Sequence, residues 1–412
     1  MSGESNGRKH TNGGAPGTGP APDSRGGPDS FPVASTLLLV GVFFLTFLAR
    51  SVLAPLLLPI EEDLGISHAE AGSFFLFISA GLMITMLFSG FVSRWANHHR
   101  TVALSVALVG MGLLALSVSY SLLWFRVALF FIGAGAGLYL PSGIATLTEV
   151  AHTRQWGRAL ALHELGPILG LSAGPLVAEL ALRFSTWRAM YAALGLVALC
   201  AAVVFARYGA GGRFHGAPPR WSALREVTRH RRFWVISFFF VMAIGLELGV
   251  YSMLPTYLVV ERGMGQSLVN TLVSTSRLTS LVMVFAAGWL SDVFGVRRVI
   301  AAVAVASGAV TALLGWADGA LLIAAVYLQP MLISAFFPAG LSALAGVGSP
   351  EHRNLSVSVV IPVAYLFGAG ALPSILGRLA EADAFGLGFI GVGALMAAGA
   401  ALTPALGAGN TE

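Results

Sequence analysis

From residue 34 onward the chain alternates long apolar runs with short polar breaks. The runs lie near 34–60, 68–93, 101–119, 122–149, 157–182 and 187–206, then near 233–260, 267–291, 298–317, 320–347, 355–378 and 385–406. Each is close to or above the ~20 residues that a helix needs to cross a bilayer. The pattern predicts an all-α integral membrane protein of twelve transmembrane helices. The breaks at Ser121 and Gly319 are the shortest.

A polar stretch divides the runs into two sets of six. The expected organisation is a cytoplasmic tail over 1–32, a six-helix bundle over 33–206, a basic cytoplasmic linker over 207–232, a second bundle over 233–407 and a short tail over 408–412. Residues 1–32 are Gly, Pro, Ser and Asn with scattered charge, a composition expected to be disordered. They do not read as a signal peptide, because the first apolar run starts late and is long.

Composition supports the membrane reading. Charged residues make up 10% of the chain, against about 25% in a soluble domain. Lipid removes the need for a charged surface. The lone Cys200 excludes an intrachain disulfide and suggests no metal cluster. No cofactor is expected. The net charge of +5 matters less than its placement. With the N-terminus inside, 17 of the 24 basic residues fall on the cytoplasmic side. They include Arg94, Arg100, Arg154, Arg158, Arg297, Arg298, Arg353 and seven linker arginines. Only Arg183, Arg188, Arg262 and Arg378 fall outside. This bias predicts a plasma-membrane protein with both termini cytoplasmic. The linker arginines read as contacts to anionic lipid headgroups, with no nucleic-acid partner.

The two halves repeat. Gly90 to Arg100 aligns with Gly288 to Arg298 at an offset of 198, and Tyr139-Leu-Pro141-Ser-Gly143 aligns with Phe336-Phe-Pro338-Ala-Gly340 at 197. Arg158 with Pro167 aligns with Arg353 with Pro362 at 195. Two pseudo-symmetric six-helix bundles form a transporter architecture with substrate held between them. Gly288 to Arg298 resembles the Gly-x-x-x-Asp-(Arg/Lys)-x-Gly-(Arg/Lys)-(Arg/Lys) loop of the major facilitator superfamily. The resemblance implies that fold and assigns Asp292, Arg297 and Arg298 to an inner gate. The first copy departs, with Arg94 at the Asp position and Asn97 at the Gly position. Asn tolerates left-handed backbone. A latch at Arg94 needs an acidic partner, and Glu149 is the candidate. Gly170-x-x-x-Gly174-Pro175-x-x-Ala178 is similar to a signature of proton-coupled exporters, or is close helix packing by small residues.

Charges near the bilayer centre cost roughly 2.5–3.5 kcal/mol even on the lenient insertion scale, so they point to a cavity or a partner. Arg277 lies about 15 Å into helix 8, counting 1.5 Å per residue. It suits a carboxylate, or an ion pair with Glu247 in helix 7. Its position also resembles that in monocarboxylate and oxalate transporters of the superfamily, which implies a substrate role. Tyr139 and Tyr327 are candidate companions on the same carboxylate. Arg50 is a second candidate for substrate or gate. Its surroundings, Arg50-Ser-Val-Leu53 through Pro59 to Ser67, resemble a pattern of anion–cation symporters, but with Ala49 at the Asp position and spacing off by one. Glu247, Glu164 and His163 are the proton-coupling candidates. Arg126, beside Trp124, reads as snorkelling to an interface.

Together these features predict a monomeric secondary transporter of a small organic anion, such as the monocarboxylates lactate or pyruvate, working by proton symport. The alternative is a proton-coupled exporter of a hydrophobic or cationic compound. No Gly-x-Ser-x-Gly elbow or His-Glu-x-x-His pair is present, and no paired midplane aspartates occur, so the chain does not read as an enzyme.

Overall fold

The computed structural model describes residues 31–217, 228–347 and 353–406. The expected tails, apart from Phe31 and Pro32, lie outside these residues. So does the centre of the linker, with Arg220 and Arg225. Every regular element among the described residues is helical. In hydrocarbon, helices satisfy their own backbone groups, which is why apolar runs of this length adopt them.

The membrane-length helices are α1 (Val33–Leu64), α2 and α3 (the two legs of His68–Ser117), α4 (Leu122–Val150), α5 (Thr153–Phe184) and α6 (Trp187–Tyr208). They continue with α7 (Arg231–Val260), α8 (Gln266–Phe294), α9 (Val296–Leu314), α10 (Gly319–Ala345), α11 (Ser356–Glu381) and α12 (Phe385–Leu406). Each of the twelve apolar runs is therefore helical. His68–Ser117 runs for 50 residues. A straight helix of that length would reach about 75 Å, more than twice the hydrocarbon thickness. It turns instead at Asn97, where φ is 65° and ψ 166°. The chain returns to the end it left: Arg188 pairs with Asp63 at the end of α1 and donates to the Ser119 carbonyl just past α3.

Local chemistry ends and starts these helices. Gly65 closes α1 in left-handed backbone, at φ 62°. Ser67 and Glu70 form a reciprocal capping box that opens α2. The side chains of Ser121 and Thr186 cap α4 and α6. Asn97 and its repeat counterpart Gly295 both have positive φ, 65° and 82°. Asn97 Oδ1 also accepts from the Arg100 N–H and so starts α3.

The end of the bundle at Glu61, Glu62, Asp63 and Glu70 is acidic. The opposite end, at Arg94, Arg100, Arg297 and Arg298, is basic. One hydrophobic core runs from Leu39 to Phe389 and draws residues from both α1–α6 and α7–α12. A second core, Phe233 to Met396, belongs to α7–α12 alone. The two sets of helices meet from the acidic end to the middle. Ser374 donates to the Gly72 carbonyl and Glu381 accepts from the Ala69 N–H. Asn270 donates to Glu179 at 2.9 Å, and Ser172 and Ser274 each donate to the other's carbonyl. The seam reaches as far as Leu82 and Met86 against Ile361 and Tyr365. At the basic end, Arg94, Asp292, Arg297 and Arg298 are exposed.

Candidate functional site

Between the two sets of helices, α1, α2, α5, α7 and α11 line a cavity of about 50 Å³. Arg50, Ser51, Ser79, Tyr251, Ser252 and Tyr365 supply its polar lining. Phe47, Phe75, Ile78, Leu171, Leu248 and Ala369 supply the apolar side.

Arg50 lies on the cavity just before a loosened turn of α1. The helix breaks at Val52; Pro55 lacks the N–H that would bond the Ser51 carbonyl. The Arg50 guanidinium sits over the Phe47 ring at 4.2 Å, and its Nε donates to the Thr46 carbonyl at 3.1 Å. The Tyr365 hydroxyl is its polar neighbour from α11. Arg50 has no carboxylate partner among the described residues. Its Nη groups are the donors that the cavity offers an anion.

Arg277 is placed differently. It is 2% exposed, and its Nη1 donates to Glu247 Oε1 at 2.8 Å. Its guanidinium lies 4.4 Å from the centre of the Tyr251 ring, and that ring forms the cavity wall. The midplane arginine therefore stands one ring behind the cavity, already neutralised. In this conformation Arg277 is in its ion pair with Glu247, while Arg50 on the cavity is not paired with a carboxylate among the described residues. Glu247 lies in a π-helical segment, Gly245–Gly249, that widens α7. Gln329 of α10 donates to the Leu246 carbonyl freed there, at 2.8 Å. A second π segment, Tyr365–Ala371, carries Tyr365, and the two segments pack at Gly245, Gly249 and Gly368.

The two tyrosines expected beside Arg277 are elsewhere. Tyr327 shares a 2.6 Å hydrogen bond with Thr275. Thr275 is two residues from Arg277, about 200° around the helix at 3.6 residues per turn, so it faces away. Tyr139 is fully buried and donates to the Leu39 carbonyl at 2.8 Å. Its hydroxyl also lies 3.0 Å from His163 Nε2. Phe43 stacks on both rings, 4.9 Å from Tyr139 and 4.3 Å from His163. Glu164 is exposed and lies 3.8 Å from His163 Nδ1. Arg126 donates to Ser73 Oγ at 3.1 Å near the acidic end.

The latch expected between Arg94 and Glu149 is not formed. Glu149 accepts instead from the Gly212 N–H. Residues 209–217 fold back across the basic end, where the His98 and His99 amides donate to the Phe214 and Gly212 carbonyls. That strap takes the carboxylate and leaves Arg94 in solvent. Glycines of α5 pack close on α1: a Cβ at Gly166 would meet Phe43 and Phe44, one at Gly170 would meet Phe47, and one at Gly174 would meet Ser51. No cluster of three or more His, Cys, Asp or Glu suited to a metal ion occurs among the described residues.

Sequence reasoning missed Tyr251, Gln329 and Tyr365. The signal for Tyr365 was faint: Gly368 and Gly370 follow it, and small residues permit the π segment and the close approach to α7.

Residues 39–276 match the profile of the Major Facilitator Superfamily. Protein TsgA of Escherichia coli O9:H4 (strain HS) is 25% identical over 239 residues, which span 56% of this chain and 58% of that protein. The fold is similar to a bacterial homologue of the human lysosomal transporter Spinster in an inward-facing, unoccupied conformation. There the TM-score is 0.74 at 15% identity, covering 92% of this chain and 97% of that one. It is also similar to a variant of the nucleoside transporter NupG, with TM-score 0.75 at 14% identity over 90% of this chain and 99% of that one. A profile match over more than half the chain, long apolar helices and a cavity between the two sets of helices agree: this chain belongs to the Major Facilitator Superfamily.

Proposed function

We propose that the protein moves a small organic anion, a monocarboxylate such as lactate or pyruvate, by alternating access with proton symport. The observation that carries this reading is Arg50, a guanidinium on the central cavity with Tyr365 beside it and no carboxylate neutralising it. An unpaired charge inside hydrocarbon is costly, and a monocarboxylate would supply the missing partner through paired N–H···O bonds. The cavity volume of about 50 Å³ suits a cargo of few atoms. The charge bias supports an orientation with the basic end in the cytoplasm of a plasma-membrane protein. In that orientation the closed seam at the acidic end supports reading this as an inward-facing state. Asp292, Arg297 and Arg298 then border the open side as gate residues. The chain acts as a monomer in this reading.

The test is uptake of labelled lactate and pyruvate into proteoliposomes. Uptake should rise when the outside is acidified and should be lost in Arg50→Ala. Uptake retained in that variant overturns the assignment of Arg50, and no uptake of any small carboxylate overturns the cargo class.

The apolar side of the lining favours a second reading, export of a hydrophobic compound by proton exchange. A cationic cargo is opposed by Arg50. Compound-stimulated proton movement in vesicles, with no carboxylate uptake, would establish it instead.

A further inference from the structure

His163 is fully buried, and its ring makes one hydrogen bond that fixes its tautomer. The Tyr139 hydroxyl has a single hydrogen, and the Leu39 carbonyl at 2.8 Å can only accept it. The same hydroxyl therefore accepts, at 3.0 Å, from His163 Nε2–H. Nδ1 is left without a hydrogen. It is buried and has no hydrogen-bond partner among the described residues.

The groups facing that nitrogen are few. α1 presents Phe43, stacked on the ring. α4 presents Tyr139, whose hydrogen is already used. From α5 itself Glu164 presents Oε1 at 3.8 Å. Its side chain is 58% exposed, which gives a proton a path to Nδ1 from outside the packed interior. Glu164 also acts electrostatically on Tyr365, together with Arg50 and Glu247. The histidine and the anion cavity are thus joined through one carboxylate.

Charge decides what such a nitrogen can do. Arg50, Glu164, Arg277 and Glu247 sum to zero while His163 is neutral. A monoanion at Arg50 makes the group net negative in a poorly hydrated interior, which is costly. One proton on Nδ1 restores neutrality and turns the 3.8 Å approach into an ion pair. Resting on the reading of the cargo as a monoanion, we propose that His163 Nδ1 is the proton-binding site of the cycle. It takes up one proton per anion, with Glu164 as counter-ion and Tyr139 holding the tautomer, so that transport is electroneutral. The Arg277–Glu247 pair then stays intact through binding. Linkage makes the coupling reciprocal: the factor by which the proton tightens anion binding is the factor by which the anion tightens proton binding.

The experiment adds L-lactate to purified protein in weakly buffered detergent containing a pH indicator, with binding followed by calorimetry. Wild type should take up about one proton per lactate bound, and its lactate affinity should fall as pH rises. His163→Gln should bind lactate with no proton uptake and with affinity independent of pH between about 5 and 8. Glu164→Gln changes an exposed side chain and tests the same point should the buried substitution fail to fold. Without that carboxylate the anion alone balances the charge, so its lactate affinity should vary little with pH and its proton uptake should fall well below one. Proton uptake undiminished in His163→Gln, or an unchanged pH profile in Glu164→Gln, overturns the proposal. Lactate binding to wild type without proton uptake also overturns it while leaving the anion reading standing. Wild type that binds neither lactate nor pyruvate overturns the anion reading first.

Discussion

Arg277 Nη1 donates to Glu247 Oε1 at 2.8 Å across α7 and α8, with Arg277 buried and Glu247 mostly so. Glu247 Oε2 and Arg277 Nε have no hydrogen-bond partner among the described residues, so each member depends on the other. Truncating one partner of a buried pair leaves a bare charge and costs about 3–5 kcal/mol. Arg277→Ala should therefore lower the thermal midpoint sharply. The double variant Arg277→Ala with Glu247→Ala should recover most of the loss. If the single variant is as stable as wild type, the pair is not what holds these helices together.

Arg50 should behave in the opposite way. It has no carboxylate to strand, so Arg50→Ala should leave stability nearly unchanged and act on binding. A hydrogen bond to a charged group contributes about 1.5–3 kcal/mol. Lactate binding should weaken by roughly 10- to 150-fold, read as loss of the lactate-induced thermal shift. Arg50→Lys should recover only part, because an ammonium lacks the planar fork. A large fall in stability without a change in binding would reassign Arg50 to the scaffold.

The contrast between these arginines shows what the sequence could and could not convey. Depth in the membrane follows from counting residues, and both were found that way. Which face each takes, and which partner reaches it, depends on packing between helices far apart in the chain. Glu247 was recognisable as a partner for Arg277, but nothing local said that the pair would form. Tyr139 and His163 were each visible as polar residues in apolar helices. Their hydrogen bond joins α4 to α5 and has no local signature. The runs, the repeat and the turn at Asn97 were legible because lipid imposes length and tight turns impose φ, and both constraints are local.

Asn97 itself is testable. With φ 65° and ψ 166° it occupies backbone that favours glycine, where other residues pay about 1–3 kcal/mol. Its side chain caps α3 by accepting from the Arg100 N–H at 2.9 Å. Replacing such a cap by glycine costs only a few tenths of a kcal/mol. Asn97→Gly should therefore raise the thermal midpoint, making the first turn like Gly295 in the second half. Asn97→Ala loses the cap and keeps the strain, so it should lower it. The same midpoint for both variants would show that the turn is not strained.

Glu149 and Arg94 separate the strap from the expected latch. Glu149 holds the Gly212 N–H, while Arg94 is exposed. Glu149→Ala should release residues 209–217, raising amide hydrogen exchange at His98 and His99, whose N–H groups donate to that strap. Arg94→Ala should leave exchange there, and transport, close to wild type. Equal effects from the two substitutions would restore an Arg94–Glu149 latch.

The seam at the acidic end sets the balance between the two faces of the cycle. Gly377 of α11 packs against the first turn of α2, where an added Cβ would press on the His68 carbonyl and on Ala69 Cα. Those atoms are backbone and cannot rotate aside. The crowding is felt only while the halves touch at this end. Overpacking costs typically 1–3 kcal/mol, which would shift the closed-to-open ratio by about 5- to 150-fold. In Gly377→Val, a cysteine placed at Ser79, buried on the cavity wall, should react faster with a membrane-impermeant maleimide applied from the acidic end. Accumulation of cargo should slow, because the chain would dwell open to that side. Labelling no faster than in the Gly377 parent would mean that α2 and α11 are not the contact that closes the acidic end.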